Sequence, residues 1–378
     1  MIRFLLLYLS VYPLVHYYAF RKIKAAFLLG KNARLGIILF MAIMIVAPIM
    51  IRLSERAGIE TGARFWAYAS FSWMGLIFLF LVLSGTIDLL RCAILATQKI
   101  RRRKPPQTQV SPRQLFAVQA LLVVAVYSYG LFEAKGIRLE RIEITSPKIT
   151  AECGRIRIAQ ISDVHLGFIV REGRLKKILA RIQEAKPDIL VSTGDLVDGQ
   201  LNHFLKESEL LAAFNPPMGK IAITGNHEFY AGLQDAVNFT EKSGFTMLRQ
   251  QGMVVGGINF VGVDDPAVSL LNHEPTQAER DVLSAQPKEY FTVLLKHRPE
   301  IDPGSLGLFD LQLSGHTHKG QIFPFNLITW FFYPQRAGQL TRLDSGFLYL
   351  SRGTGTWGPP IRVLAPPEVT IIDLLPAK

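Results

Sequence analysis

Four long apolar runs, at 4–20, 35–51, 65–87 and 114–132, contain no Lys, Arg, Asp or Glu. Each is close to the ~20 residues a helix needs to cross a ~30 Å hydrocarbon layer, where backbone groups must be satisfied within the segment itself. Four such runs in succession are hard to cover with protein, so they are expected to be transmembrane helices. The first has the length of a signal peptide, but its basic residues mostly follow the run and no small-residue cleavage site closes it; it reads as a retained anchor. His16 and Pro13 make it the weakest span of the four.

The loops between the runs differ in charge. Residues 21–34 carry Arg21, Lys22, Lys24, Lys31 and Arg34 with no acid. Residues 91–113 carry Arg91, Lys99, Arg101, Arg102, Arg103, Lys104 and Arg113, again with no acid. In the middle loop Arg52, Arg56 and Arg64 are offset by Glu55 and Glu60. Short basic loops stay on the cytoplasmic side. Four spans then place the N-terminus and everything after residue 132 outside, in a multi-pass protein of the cell (inner) membrane.

The formal net charge of +12 would point to nucleic acid or an anionic surface if it were spread over the chain. It is not. Residues 1–132 hold 16 Lys and Arg against 3 Asp and Glu, and the remainder holds 26 against 27. The C-terminal part therefore lacks the basic footprint that binding a phosphate backbone needs, and no nucleic-acid partner is expected. Cys92 and Cys153, the only cysteines, make neither a disulfide framework nor a thiolate metal site.

Residues 133–154 read as a connector, and a β/α alternation follows over 155–378. Strand patterns fall at 155–161, 188–192, 220–224, 259–263, 290–295, 311–314, 347–351 and 369–374. A helix pattern at 175–184 puts Ile178, Leu179 and Ile182 on one face. Several strands stop at residues of metal-ligand type: Asp163-Val164-His165, Gly194-Asp195, Gly225-Asn226-His227-Glu228, Lys296-His297 and Gly315-His316-Thr317-His318. The carboxyl ends of strands in an open α/β sheet share one crevice, so residues from 163 to 318 can meet there. Carboxylate and amide oxygens mixed with imidazole suit Mn²⁺, Fe or Zn²⁺. The set is too large for one ion and about right for two that share a bridging carboxylate. Glycines before Asp195, Asn226 and His316 are expected to make the tight turns that aim these ligands.

With these five blocks in this order, the chain resembles the calcineurin-like metallophosphoesterases over about 155–375. Ser351-Arg352-Gly353-Thr354-Gly355-Thr356 and Pro366-Pro367-Glu368 resemble the bacterial branch with N-terminal membrane segments. The resemblance implies a β-sandwich flanked by helices (αββα), preceded here by the all-α transmembrane region. It implies that Asp163, His165 and His318 bind one metal and Asn226, His297 and His316 a second, with Asp195 bridging. His227 would stand at the leaving-group oxygen. At Lys319 the chain departs from the family, where a small residue, usually glycine, is expected; this bears on the substrate side of the pocket.

Two cations lower the pKa of water and clamp phosphoryl oxygens for in-line attack. The expected function is therefore hydrolysis of a phosphate ester, diester or pyrophosphate, with a lipid-linked substrate in view. Membrane lipids are the other expected partner. One alternative is the pyrophosphate cleavage of UDP-diacylglucosamine in lipid A synthesis, which some relatives perform; that substrate belongs to the cytoplasmic leaflet, against the topology above. Another is a non-catalytic scaffold, although every ligand position is occupied.

Arg298 and Arg352 are candidates for phosphate contact or for ordinary salt bridges. Asp198 either orients a ligand or caps a turn, Glu228 is a candidate to support a ligand from behind, and 264–266 reads as a turn. His203 and His273 read as solvated loop residues. The uncharged stretch 320–334, with Phe323, Phe325, Trp330, Phe331, Phe332 and Tyr333, is expected as a loop beside the active-site mouth, either dipping into lipid or folded over the core.

Overall fold

The computed structural model describes all residues except 1, 104–109, 200–203, 273–276 and 378, so His203 and His273 lie outside the described residues. The chain forms two compact units, Met1–Phe132 with Gly358–Ile361, and Glu133–Trp357 with Arg362–Lys378.

The first unit is helical: α1 (Ile2–Ala26), α2 (Lys31–Arg56), α3 (Glu60–Ile100) and α4 (Pro112–Lys135), the last ending three residues into the second unit. Each expected apolar run lies within one of these helices. Among the described residues, α2, α3 and α4 are long and apolar enough to cross a membrane. α1 is not among them, because Tyr8, Tyr12, Pro13, His16, Tyr17 and Tyr18 interrupt its run. Its polar groups find partners on α3. His16 Nε2 accepts from Trp73 Nε1 at 2.9 Å, and Tyr18 and Lys22 both bind Asp88, at 2.7 and 2.6 Å. α3 also runs past the expected span end to residue 100, since 88–100 contain no Gly or Pro to stop it. Arg91 and Lys99, expected in a loop, are therefore helical.

The second unit is a sandwich of two six-stranded sheets. The strands are β1 (Arg138–Ser146), β2 (Ile156–Ile161), β3 (Ile189–Ser192), β4 (Lys220–Ala222), β5 (Thr246–Met247), β6 (Gln251–Val255), β7 (Ile258–Gly262), β8 (Phe291–Leu295), β9 (Leu311–Ser314), β10 (Gln339–Leu343), β11 (Gly346–Leu350) and β12 (Glu368–Pro376). The orders are β1-β12-β2-β3-β4-β5 and β10-β11-β9-β8-β7-β6. Pairing is parallel from β2 to β5 and among β7, β8, β9 and β11, which sends their carboxyl ends to one rim.

Alternation along β2 shows how the layers form. Ile156 and Ile158 join Ile189, Val191, Phe260, Val293 and Leu313 between the sheets. Ala159 and Ile161 face the other way, onto α5 (Glu172–Ala185), α6 (Leu205–Ala213) and α8 (Leu233–Lys242). Val261 and Leu294, on the outer face of the second sheet, pack on Val282 and Leu283 of α10 (Glu279–Ser284). The expected αββα class is therefore the one this chain adopts. The short helices α7 (Asn226–Ala231), α9 (Ala267–Asn272) and α11 (Phe325–Phe332) complete the unit.

Two expectations need correction. The segment 133–154 is not only a connector: β1 pairs in parallel with β12 from Arg138↔Glu368 to Ser146↔Pro376. Its alternation is masked because charged residues stand on both faces, Arg138 and Glu140 in line with Ile142 and Arg141 and Glu143 opposite, while Ile144 enters the sandwich core. The stretch 320–334 is not simply a loop but contains α11, which buries none of its residues.

Ile144→Ala should therefore destabilise the full chain by about 2–4 kcal/mol, as deletion of buried methyl groups does. The check is the unfolding midpoint of detergent-solubilised protein, and an unchanged midpoint would mark the segment as a tether.

Candidate metal centre

Five connections carry the site: those after β2, β3 and β4 from one sheet and those after β8 and β9 from the other. Asp163, His165, Asp195, His316 and His318 all have positive φ, between 48° and 74°. Non-glycine residues enter this left-handed region at a cost of order 1–3 kcal/mol each and cluster at functional sites.

Among the described residues, three groups have ligand atoms within 4.8 Å of one another: Asp163–His165–His318, Asp195–His297–His316 and His165–Asp195–His227. His165 and His318 face each other with their Nε2 atoms 3.0 Å apart, and His318 Nε2 lies 3.4 Å from Asp163. His297 Nε2 stands 3.3 Å from Asp195 Oδ2 and 3.3 Å from His316 Nδ1. Asn226 Oδ1 is buried without a hydrogen-bond partner. Converging imidazole nitrogens, two buried carboxylates and an orphaned amide oxygen form a donor set that fits divalent cations.

The supporting bonds orient these groups. His297 Nδ1 donates to Thr193 O at 2.8 Å, which turns Nε2 toward Asp195 and fixes it as the acceptor nitrogen of the neutral ring. Asp163 accepts the His316 backbone N–H at 3.0 Å and the Ser162 hydroxyl at 2.6 Å. Asp195 accepts the His227 backbone N–H at 2.8 Å. Between the sheets, Gln160 Nε2 donates to Thr193 Oγ1 and Ser314 O, at 3.0 and 3.2 Å.

Burial lowers the His316 imidazole and, with the charge of His297, holds it down to about 3. Burial and the charges of His165 and Arg362 hold His318 well below its usual range. At His227 and His297 burial also lowers the pKa but is outweighed. The Asp195 charge with the Asp198 bond pushes His227 up to about 9, and Asp195 pushes His297 up to about 10. The carboxylates thus call for positive charge at the centre, and protons supply it where no cation does. Cation binding there releases protons, since a ligating imidazole must be neutral.

The calcineurin-like phosphoesterase family matches residues 156–320. An uncharacterized metallophosphoesterase of Aquifex aeolicus is 35% identical over 257 residues, 67% of this chain and 97% of that protein. The chain belongs to the calcineurin-like phosphoesterases. A transmembrane protein with metallophosphoesterase domain from Danio rerio is 27% identical over 333 residues, 84% of this chain and 75% of that one. Among solved structures, a 5'-nucleotidase precursor from Thermus thermophilus aligns at a TM-score of 0.36 and 15% identity, over 58% of this chain and 54% of that chain. As a metallophosphoesterase the chain requires divalent metal, and its buried His/Asp cluster can hold it.

The structure brings together seven of the eight residues expected at the metals and the leaving group, and Asn226 stands between Gly225 and His227, whose backbone N–H groups bind Glu228 and Asp195. The two arginines behave differently. Arg298 Nε and Nη2 are bound to Asp265, at 2.7 and 3.0 Å. Arg352 is paired with Glu368 at 2.5 Å and with Glu140. Both guanidiniums therefore serve ion pairs with carboxylates, the commoner use of a part-buried arginine, rather than standing free for a phosphate. Asp264 likewise does more than turn the chain, accepting from Arg249 at 2.9 Å and from Thr224 at 2.9 Å.

Two glycines matter by size rather than by turn type. A Cβ on Gly225 would overlap the Asp195 carboxylate, and one on Gly315 would overlap Ser162 Oγ and the Asp163 carboxylate. At Lys319 φ is +52°, the conformation in which glycine costs least, which explains the small residue expected there.

Three contributors were left open or unseen in the sequence. Asp198 Oδ1 binds His227 Nδ1 at 2.7 Å, so it orients the imidazole; the signal was its place three residues after Asp195. Arg362 is fully buried and donates to the carbonyls of Gly355, Arg352 and Ala365, with Nη2 3.1 Å from His318 Nδ1. No local pattern announces it. Glu228 is buried, and its carboxylate accepts from Gly225 N (2.6 Å), Leu196 N (2.8 Å), Asp195 N (3.0 Å) and Val197 N (3.4 Å).

Because Glu228 ties the Asp195 loop to the Asn226 loop, Glu228→Ala should weaken metal binding about 10–100-fold. Competition with a chromogenic chelator measures this, and full retention of affinity would show the clamp to be dispensable.

Proposed function

We propose that this chain hydrolyses a phosphate ester or pyrophosphate in a membrane-associated, lipid-linked substrate, using two divalent cations of the Mn²⁺, Fe or Zn²⁺ type. The observation that carries this reading is the adjacency of two ligand triads, Asp163–His165–His318 and Asp195–His297–His316, with His165 Nε2 3.8 Å from Asp195 Oδ2. In it Asp195 would serve both cations, and Asn226 would complete the second set with its unpartnered Oδ1. Bound there, such cations acidify water and neutralise phosphoryl oxygens.

The chain's own residues manage the leaving group. Asp198 holds His227 Nδ1, which leaves the Nε2 proton for the departing oxygen. Burial lowers the His227 pKa, but Asp195 and Asp198 outweigh it and favour the protonated ring. Tyr230 and Trp357 pack edge-on to the imidazole at 5.3 and 5.8 Å and narrow the space in which it swings.

Asp195→Ala should lose metal and activity together, whereas His227→Ala should keep its metal and turn over ~10²–10⁴-fold more slowly. Elemental analysis beside a hydrolysis panel of nucleotides, phospholipids and lipid-linked pyrophosphates separates the two. Full metal occupancy in Asp195→Ala would reject the bridging role.

The catalytic unit is proposed to lie outside the cytoplasm. The basic segments 21–34 and 91–113 contain no acid of their own, although Lys22 pairs with Asp88 of α3, and they favour the inside. Both segments keep that side whether or not α1 crosses. Cys153 is exposed in the catalytic unit, so the Cys92→Ser chain offers one native reporter thiol. It should react with a membrane-impermeant maleimide in intact spheroplasts. Reaction only after lysis would put the unit in the cytoplasm and revive a UDP-diacylglucosamine substrate. Glu207, which looks exposed by composition, is unsuitable for such a label because it is buried against Arg171 at 3.0 Å.

A further inference from the structure

α11 leaves its large side chains on the surface: Trp330, Phe331 and Phe332 are 62%, 79% and 67% exposed. Apolar side chains gathered in this way mark an interaction surface. The charge around them has one sign. From Leu311 to Leu343 the sequence contains no Asp or Glu, but it contains Lys319, Arg336 and Arg342. Beside the helix lies a cavity of about 260 Å³ whose lining includes Lys319, Asn326, Trp330, Tyr333, Gln335 and Arg336.

Among the described residues neither Lys319 nor Arg336 has an ion-pair partner. Asn326 Oδ1 and Gln335 Oε1 are buried without hydrogen-bond partners, and either end of each amide can face a ligand. Two free cations, two unspent amides and aromatic walls suit a phosphate group with an apolar attachment. The cavity also adjoins the metal centre, because Tyr333 packs edge-on to His316 at 5.5 Å.

We propose that α11 lies in the interfacial layer of the membrane and that the cavity beside it binds the phosphate of an anionic phospholipid. Trp and other aromatic side chains favour that layer, and basic residues near it favour anionic headgroups. The same chain carries three helices able to cross a membrane, so a lipid surface is at hand. Lipid binding at α11 needs no catalysis; only its bearing on substrate choice rests on the function proposed above.

The test uses the full chain with Cys92→Ser, Cys153→Ser and Phe331→Cys, labelled with an environment-sensitive fluorophore and placed in phosphatidylcholine nanodiscs with or without phosphatidylglycerol. The label should shift to the blue and be quenched by lipids carrying a nitroxide near the headgroup, more than by aqueous iodide. Phosphatidylglycerol should strengthen that quenching. Lys319→Gly, which the left-handed backbone accepts, should raise the phosphatidylglycerol fraction needed for half the effect by about fivefold.

A label quenched by iodide as freely as one at exposed Glu184→Cys, and not by nitroxide lipid, overturns the docking. A label shielded from both quenchers points to a protein partner and equally overturns it. An unchanged phosphatidylglycerol response in Lys319→Gly, or the full response from inorganic phosphate alone, overturns the headgroup site. Since hydrolysis is not read, failure of the phosphoesterase assignments and failure of this proposal are separately visible.

Discussion

The two loops that carry Asp195 and Asn226 depend on backbone that the Glu228 carboxylate holds in place. It is buried and accepts four N–H groups, from Gly225 on its own loop and from Asp195, Leu196 and Val197 across the gap. An N–H left unpaired in such a setting costs about 1–3 kcal/mol. Removing this one side chain would expose that cost several times over and free Asp195 from Asn226. Burial and the nearby Asp195 charge raise the Glu228 pKa, and the backbone N–H groups oppose them. The clamp and the charge it restrains are therefore parts of one electrostatic unit.

The same logic joins the two sheets. His316 N–H to Asp163, His297 Nδ1–H to Thr193 O, and Gln160 to Ser314 O all cross from one sheet to the other at the rim where the parallel strands end. The sandwich core beneath brings the sheets together without direction, and these bonds set their register at the site. Such a network can hold five non-glycine residues in left-handed conformations, and the missing Cβ atoms of Gly225 and Gly315 let the two carboxylates approach the backbone. Arg362 finishes the construction by gathering the carbonyls of the 352–365 segment beneath His318.

Charge is partitioned along the chain in a way that matches this division of labour. Net positive charge concentrates in the helical part, where 16 Lys and Arg stand against 3 acids and bear on orientation in a membrane. The catalytic part is nearly neutral in total, with acids drawn to the metal centre and an acid-free tract around α11. A lipid surface and a cation site ask for opposite fields, and the catalytic unit separates them by segregating its residues rather than through net charge.

Much of this was legible without coordinates. Uncharged runs of membrane length determine helices, because no other single segment satisfies its own backbone in lipid. Buried parallel strands announce themselves as apolar runs, and ligands at their ends can meet only at one rim. That local code gave a β/α alternation with ligand-type residues at its strand ends, and the family resemblance those residues carried implied the αββα class and the roles of the seven ligand candidates and His227. What it could not decide depends on groups distant in sequence. β1 was hidden because charged residues on both faces break the apolar pattern, and it is a strand only because β12 offers an edge. Arg298 and Arg352 could be sorted between phosphate and carboxylate only once Asp265, Glu140 and Glu368 stood beside them. Sequence determines which groups are available and on which face of an element each can stand; only the tertiary structure decides which partners satisfy them, because a buried charge or N–H is stable solely next to a group the chain brings from elsewhere.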